Sequence, residues 1–317
     1  MAGLAERRPE LVLAGVTLLW GSTFIITKDV IRSAPPIGYL AIRFSVASII
    51  LFLITPRALR PSRKLLRDGL LLGLGQGLGL ALQVTGQLYT TASKSAFVTS
   101  LATVLTPFIA LTFYRERPTR AQALGVLLAT AGLLLLTYPT EGAEWSRGDL
   151  ITLACAGVYG VVIVETVRRA RGADVAVLAT LQTASAAALF VVGAAALHGF
   201  AWAMPSARAG SLVALEGHPF ALSGKLFAEV SYMALVCTVG TFLAQTWAMA
   251  RMSATHSAVV FALEPVFATG MAIAVEGSTE WPGPRGATGA ALVLAGVLAS
   301  ELRRIGWGSF GSRGRKR

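Results

Sequence analysis

Long apolar runs recur along this chain of 317 residues, with short polar breaks between them. A helix needs about 20 apolar residues to cross the hydrocarbon core of a bilayer. The sequence places runs of about this length at 11–31, 36–55, 69–90, 94–114, 119–138, 149–168, 174–198, 226–250, 255–276 and 285–304. Only 14% of the residues are charged, against about 25% in an average soluble domain. The sequence therefore predicts an all-α membrane protein with ten transmembrane helices.

The distribution of Lys and Arg predicts the orientation in the membrane. With the N-terminus inside, alternate segments place 20 of these residues on the inner side and 6 on the outer side. Cytoplasmic loops carry an excess of Lys and Arg, so both termini are predicted to be cytoplasmic, in a bacterial inner membrane. The asymmetry also explains the net charge of +12 without the nucleic-acid partner that a basic soluble domain would suggest. The run from Leu11 to Ile31 is too long for the apolar core of a signal peptide and is interpreted as an uncleaved first helix.

The two halves of the chain contain similar segments in the same order. Glu10–Gly21 aligns with Asp149–Gly160 at an offset of 139. Gln83–Ala96 aligns with Gln245–Ala258 at an offset of 162. Each half holds five predicted helices, and an odd number makes the second half enter the membrane from the opposite side. Inverted repeats of this kind place a binding site near the midplane, between the halves.

Proline and glycine positions extend the repeat towards the end of each half. Pro107 and Pro265 correspond after a four-residue deletion in the second half, and both are expected to break their helices. The glycines that follow correspond at an offset of 164, Gly125 and Gly132 with Gly289 and Gly296. The predicted organisation comprises a cytoplasmic tail (1–10), a first five-helix repeat (11–138), a second (149–304) with an external loop at about 199–225, and a basic cytoplasmic tail (305–317).

Several loose motifs, in a characteristic order, cover nearly the whole chain. In the first half they are Trp20-Gly21-Ser22, Pro36, Arg43, Gln83, Thr91-Ala92-Ser93, Pro107, Arg115–Thr119, Gly125 and Gly132. In the second half they are Tyr159-Gly160, Gln245, Leu263–Phe267, Glu276, Gly289 and Gly296. In this order the chain resembles the drug/metabolite transporter superfamily, in its EamA-type branch. The pattern departs at Tyr159, where many second halves carry Trp, and at Glu276, which precedes its glycine rather than following it.

The resemblance implies a secondary transporter that moves a small-molecule substrate by alternating access. Members closest in pattern export amino acids, often neutral or aromatic, and some move toxic organic cations. The resemblance also implies that the fifth and tenth helices are peripheral and that the substrate cavity lies among the other helices.

Polar and aromatic residues at helical spacing identify candidates for the cavity wall. Polar groups that face lipid are costly, so polar stripes should face protein or a wet cavity. Aromatic rings on these helices are able to stack on an aromatic or cationic substrate. The candidate residues are Trp20, Arg43, Gln83, Thr99, Tyr159, Gln245, Trp247, Phe261 and Glu264. For each residue the alternative is a packing role, and Ser and Thr commonly bond to their own helix backbone.

Glu264 and Arg43 are the two charged candidates inside predicted helices. Glu264 lies near the middle of the ninth helix, immediately before Pro265. Because a carboxylate in hydrocarbon is expensive, Glu264 is a candidate for binding a substrate amine or carrying a coupling proton; the alternative is a protonated or hydrogen-bonded Glu that packs helices. Arg43 is able to clamp a carboxylate bidentately, or alternatively to lock the second helix to its neighbours through backbone carbonyls.

Other motifs exclude several classes of protein. The sequence has no HExxH, no GxSxG, no phosphate loop and no metal-spaced cysteines, so no cofactor, metal or enzymatic activity is expected. Cys155 and Cys237 are interpreted as small buried residues, and the glycines at 73–79 as a site of close helix approach. The leading hypothesis is an exporter of amino acids or related metabolites, acting as a monomer or homodimer. The alternatives are an exporter of organic cations or drugs and, less favoured, a membrane-embedded enzyme acting on lipid-linked substrates.

Overall fold

The computed structural model describes residues 9–137, 146–203, 211–276, 281 and 283–305, and these contain helices and turns but no strand. In chain order the helices are α1 (Pro9–Val30), α2 (Pro36–Ile54), α3 (Arg63–Tyr89), α4 (Ala92–Ser100), α5 (Ala102–Tyr114), α6 (Arg120–Thr137), α7 (Arg147–Ala170), α8 (Val175–Ala203), α9 (Leu212–Glu216), α10 (Gly224–Ala234), α11 (Thr241–Met249), α12 (Ala254–Phe261), α13 (Glu264–Glu276) and α14 (Gly283–Ile305). A 3₁₀ turn covers Pro56–Leu59, and a π-helical turn at Leu235–Gly240 joins α10 to α11. Most of the two predicted tails, at 1–8 and 306–317, and part of the predicted external loop, at 204–210, lie outside the described residues.

The helices have the length and composition of a multi-pass membrane protein. Within the described residues, seven segments are long and apolar enough to cross a membrane, and a shorter apolar helix covers Arg120–Leu136. The seven are Pro9–Val30, Pro36–Ile54, Arg63–Tyr89, Lys94–Tyr114, Arg147–Ala170, Val175–Ala203 and Gly224–Met249. The last two predicted segments are helical as well, in α12 to α14. The all-α membrane class is therefore confirmed, while the count of ten spans stays a prediction.

Two helix boundaries differ from the sequence prediction. The third helix begins at Arg63, six residues before the predicted start at 69, because the Ser62 side chain caps it by accepting from the Leu65 amide at 3.3 Å. Arg63 and Arg67 in these early turns are exposed, so their charged ends reach water. The seventh predicted helix continues to Ala203, which shortens the predicted external loop from its N-terminal side.

The predicted helix at 94–114 is interrupted at Leu101 rather than at Pro107, which lies inside α5. At the interruption the Leu101 amide bonds to the Val98 carbonyl at 3.2 Å, a tighter turn than in an α-helix. The Ser100 hydroxyl donates to the Phe97 carbonyl at 2.6 Å, and such back-bonding bends helices. The interruption therefore lies at a Ser-stabilised tight turn, six residues before the proline.

The corresponding helix of the second repeat is interrupted at Ala262 and Leu263. There the Leu263 amide bonds to the Val260 carbonyl at 3.1 Å. Pro265 is the second residue of α13, where a missing amide costs no intrahelical bond. The repeat offset of 162 relates Leu263 to Leu101, so the two repeats interrupt the same helix at the same place.

The α6–α14 pair shows how the two halves are related. A Cβ on Gly125 would lie 2.8 Å from the Gly296 carbonyl oxygen, and one on Gly132 would lie 2.5 Å from the Gly289 carbonyl oxygen. Gly125 corresponds to Gly289 and Gly132 to Gly296, so a two-fold axis between the halves turns each contact into the other. This reciprocal seam supports the inverted repeat.

The faces of α6 and α14 away from the seam carry exposed apolar residues. Leu127 and Leu298 are each 68% exposed, as lipid-facing residues at the edge of a bundle would be. The pair is therefore peripheral, as the resemblance implied.

A second pair of contacts obeys the same symmetry. A Cβ on Gly21 of α1 would meet the Phe267 Cβ of α13 at 3.2 Å, and one on Gly160 of α7 would meet the Leu105 Cβ of α5 at 3.4 Å. Gly21 corresponds to Gly160, and the offset of 162 relates Phe267 to Leu105. The interrupted helix of each half therefore packs against the first helix of the other half.

Candidate functional site

A cavity lies between the two halves. Its wall draws on α1, α2, α3, the interrupted helices α4–α5 and α12–α13, α7 and α11. The predicted site residues on this wall are Trp20, Arg43, Gln83, Thr99, Tyr159, Gln245, Phe261 and Glu264. Residues far apart in the sequence are thus brought to one cavity because the inverted halves pack face to face.

Trp247 is the one predicted site residue that is not on the cavity wall. It follows Gln245 by two residues, and positions two apart on a helix do not share a face. Its ring lies instead 4.3 Å beneath the Arg251 guanidinium, whose Nη1 donates to the Trp247 carbonyl at 2.8 Å. The geometry therefore favours the packing alternative for this tryptophan.

Several wall residues were not among the predicted set. Val162, Ile163 and Thr166 of α7 lie on the wall, three, four and seven residues after Tyr159. That spacing keeps them on the face of Tyr159, so helical periodicity could have identified them. Phe242 also lines the cavity, but in an apolar helix such a residue resembles a lipid-facing one.

Glu264 is the first residue of α13, directly after the interruption, and its side chain lines the cavity. The N-terminus of a helix carries a partial positive charge, which favours a carboxylate at this position. Within the described part of the chain, no ion pair includes Glu264. Its charge, when present, is therefore directed to the cavity rather than to a basic side chain.

Arg43 is 4% exposed and is held by neutral acceptors. Its Nε donates to Thr238 Oγ1 at 2.8 Å, its Nη2 to the Cys237 carbonyl at 3.2 Å and its Nη1 to the Tyr39 hydroxyl at 3.3 Å. The described residues provide it with no ion-pair partner either. Arg43 thus locks α2 to the π-helical turn, as the structural alternative expected, and also presents a charge to the cavity.

Aromatic rings form part of the wall beside these two charges. Trp20 stacks on Phe261 with ring centroids 5.7 Å apart and 12° between the planes, and lies 6.3 Å from Phe242. Tyr159 lines the same cavity as Glu264 and Arg43. The wall therefore combines one acidic group, one basic group and several aromatic faces.

Polar contacts join α4–α5 and α3 to α7 at both ends of the cavity. At the predicted outer end, the Asp149 carboxylate accepts from Lys94 Nζ at 2.6 Å and from the Thr90 hydroxyl at 2.7 Å. At the opposite end, Arg169 Nε pairs with Glu165 at 2.7 Å, its Nη1 pairs with Asp68 of α3, and the Tyr114 hydroxyl of α5 donates to Glu165. These three segments are therefore connected above and below the cavity.

A strap formed by α9, in the loop that the sequence predicts to be external, closes over the start of α2. Glu216 is 2% exposed, and its carboxylate accepts from the backbone amides of Ile37, at 2.9 Å, and of Gly38. Its own carbonyl lies 3.1 Å from His198 Nδ1. Burial raises the pKa of the Glu216 carboxyl, while the two amide hydrogen bonds and the nearby His198 oppose the rise.

The fold and the cavity define a multi-pass, all-helical membrane protein built from two inverted repeats around a polar and aromatic chamber. The EamA-like transporter family model matches the chain twice, at residues 7–138 and 146–301. The chain belongs to this family. It is accordingly a membrane transporter for a small-molecule substrate, and the two matches cover nearly the same residues as the two predicted repeats.

Individual relatives agree with this assignment. An uncharacterized transporter of Archaeoglobus fulgidus is 28% identical over 95% of this chain and 88% of its own length. A probable terminal-alkyne amino-acid exporter of Streptantibioticus cattleyicolor is 28% identical over 93% of both chains. A solved crystal structure superposes with a TM-score of 0.70 at 17% identity, covering 94% of this chain and 99% of that one, which supports the fold.

Proposed function

We propose that this chain exports small zwitterionic metabolites, amino acids above all, across a bacterial inner membrane by alternating access. The observation that carries the proposal is the presence of Glu264 and Arg43 on one cavity wall, with no ion pair to either among the described residues. A buried charge without a partner is costly. An amino acid supplies both counter-charges at once, its ammonium group to Glu264 and its carboxylate to Arg43.

The rest of the wall suits a neutral or aromatic side chain on that substrate. Trp20 and Phe261 offer aromatic faces, and Gln83 and Gln245 offer amides that are able to hydrogen-bond a carboxylate. The relative named as a probable amino-acid exporter covers nearly the same length of sequence, which favours the same substrate class. A proton or substrate gradient would drive export, with Glu264 as the carrier of a coupling proton.

Export of organic cations is the second candidate, because a carboxylate beside aromatic faces also binds a cation well. The charge of Arg43 distinguishes the two candidates. A cation without a carboxylate would leave this guanidinium with neutral acceptors only, and would be repelled by it.

Counterflow in proteoliposomes that contain the purified full-length chain tests the proposal. We expect uphill exchange of neutral and aromatic amino acids and weaker exchange of organic cations. Glu264→Gln should reduce amino-acid exchange about 100-fold, equivalent to about 2.7 kcal/mol, and remove its pH dependence. Glu229→Gln, at a carboxylate that is not on the cavity wall, is the matched control. Unchanged exchange and pH dependence in Glu264→Gln would contradict the proposed role of the Glu264 carboxylate in transport. A preference of the wild-type chain for organic cations would favour the second candidate.

A further inference from the structure

The π-helical turn at Leu235–Gly240, together with Thr241 directly after it, binds two cavity residues that come from other helices. The Thr238 hydroxyl oxygen accepts from Arg43 Nε of α2 at 2.8 Å. The Thr241 hydroxyl oxygen, at the start of α11, accepts from Trp20 Nε1 of α1 at 3.2 Å. One turn of helix thus positions both the basic group and an aromatic face of the cavity.

The widened turn supplies acceptors that a regular α-helix would keep for itself. The Thr238 hydroxyl donates to the Met233 carbonyl, five residues earlier, at 2.8 Å. The Cys237 carbonyl accepts from Arg43 Nη2 at 3.2 Å and from the Thr241 hydroxyl at 2.8 Å. π-helical turns are rare and occur frequently at functional sites. Here the turn presents a hydroxyl and a carbonyl side by side to one edge of a guanidinium.

These contacts orient Arg43 without neutralising its charge. A guanidinium has five N–H donors, and the contacts to Thr238, Cys237 and Tyr39 use one on each of the three nitrogens. One N–H remains on each terminal nitrogen, and terminal nitrogens are able to bind the two oxygens of a carboxylate. All three acceptors are neutral, so the positive charge remains available to a substrate.

We infer that Thr238 is a positioning residue that makes the transporter selective for a substrate carboxylate. It fixes the edge of the Arg43 guanidinium, so that the remaining N–H groups point to the cavity in one orientation. The inference rests on the proposed function and adds to it the residue that distinguishes an amino acid from the corresponding amine. The amine lacks the group that Arg43 would bind and gains nothing from the orientation.

Counterflow with L-phenylalanine and with phenethylamine, which is the same molecule without its carboxylate, tests this role. Thr238→Val removes the acceptor for Arg43 Nε. Because a hydrogen bond to a charged group contributes about 1.5–3 kcal/mol, we expect KM for phenylalanine to rise about 10-fold or more. KM for phenethylamine should change by less than about twofold, since the amine has no carboxylate to bind the terminal N–H groups of Arg43.

Three further variants complete the design. Thr238→Ser keeps the hydroxyl and should restore the preference for phenylalanine. Arg43→Lys keeps the charge but removes the planar guanidinium that binds a carboxylate through two nitrogens. If Thr238→Val fails to fold, this variant should show the same rise in KM for phenylalanine with little change for phenethylamine. Thr246→Val removes an equally buried hydroxyl that bonds only to the Phe242 carbonyl, at 2.7 Å, and should leave both KM values unchanged.

The outcomes separate this inference from the proposed function. Equal changes in both KM values for Thr238→Val, or no change in either, would overturn the positioning role while amino-acid export stands. Failure of Thr238→Ser to restore selectivity, with unchanged thermal stability, would overturn it as well. Absence of phenylalanine exchange by the wild-type chain, with exchange of phenethylamine, would overturn the proposed substrate class and the inference together.

Discussion

The two interrupted helices, α4–α5 in the first repeat and α12–α13 in the second, share their geometry but begin their second segment with different residues. Ala102 and Glu264 each begin the helix that follows the interruption, and each lines the cavity. The repeat offset of 162 relates the two positions. A symmetric scaffold thus carries a carboxylate at only one of two equivalent places, which allows the cavity to bind a substrate with different ends in a single orientation.

The largest expected effect comes from making the two positions alike in charge. Ala102→Glu would add a second carboxylate to the cavity, and neighbouring carboxylates disfavour each other's ionised form. We expect amino-acid exchange, measured as kcat/KM in counterflow, to fall about 100-fold relative to wild type. Ala102→Gln, similar in size but neutral, serves as the control and should lose far less. Equal losses in the two variants would mean that volume rather than charge limits this part of the cavity.

The glycine seam tests the shared scaffold rather than the chemistry. A Cβ on Gly132 would lie 2.5 Å from the Gly289 carbonyl oxygen, and a Cβ on Gly289 would lie 2.6 Å from the Gly132 carbonyl oxygen. Gly132→Ala and Gly289→Ala should each lower the free energy of unfolding by about 2 kcal/mol, and by similar amounts, because each opposes the other's backbone. Thermal unfolding in detergent measures both.

Gly157 of α7 provides the control, because a Cβ there would meet nothing within 4 Å. Gly157→Ala should be neutral or stabilise the helix by up to about 1 kcal/mol. A cost confined to one of the two seam variants would contradict the two-fold relation between α6 and α14.

The smallest expected effect lies where the repeats differ in their loops. The second repeat carries the α9 strap, and burial raises the pKa of Glu216. Protonation of Glu216 therefore favours the folded state. Its contribution to the free energy of unfolding is fully present below the ordinary pKa of Glu, about 4.3, and is lost as pH rises through the raised pKa. Glu216→Gln should remove that part of the pH dependence of thermal stability. A variant whose stability changes with pH as in the wild type would show that Glu216 does not titrate in this range.

Much of the fold follows from sequence signals that are local or regularly spaced. Apolar runs of membrane-spanning length mark the helices, and the offsets that relate Gly125 to Gly289 and Gly132 to Gly296 mark the repeat. Helix starts are less certain, since basic residues such as Arg63 extend a helix into water without an apolar signal. The break at Leu101 also escaped the sequence analysis. Proline is the strongest sequence indicator of a break, whereas a hydroxyl bond from Ser100 depends on the conformation that it stabilises.

The site was predictable to the extent that it is polar. Glu264, Arg43 and Gln83 stand out because charged and amide groups are rare and costly inside apolar helices. Phe242 could not be distinguished from a lipid-facing residue, since packing alone decides which way an apolar ring points. The π-helical turn has no clear sequence signal, because in a helix that is mostly apolar all round, a shift of one residue in the periodicity is not visible. The residues that orient the site were therefore harder to find than the residues that form it.

The reciprocal seam between α6 and α14 has the form of a two-fold dimer interface, although both sides belong to one polypeptide. In a dimer of identical chains, every substitution appears twice and the centre of the assembly must remain symmetric. Here each side of the interface is encoded separately, so the halves are free to diverge where they surround the substrate while Gly125, Gly132, Gly289 and Gly296 keep them paired. Joining the two units in one chain is what permits a carboxylate to occupy one side of the chamber alone.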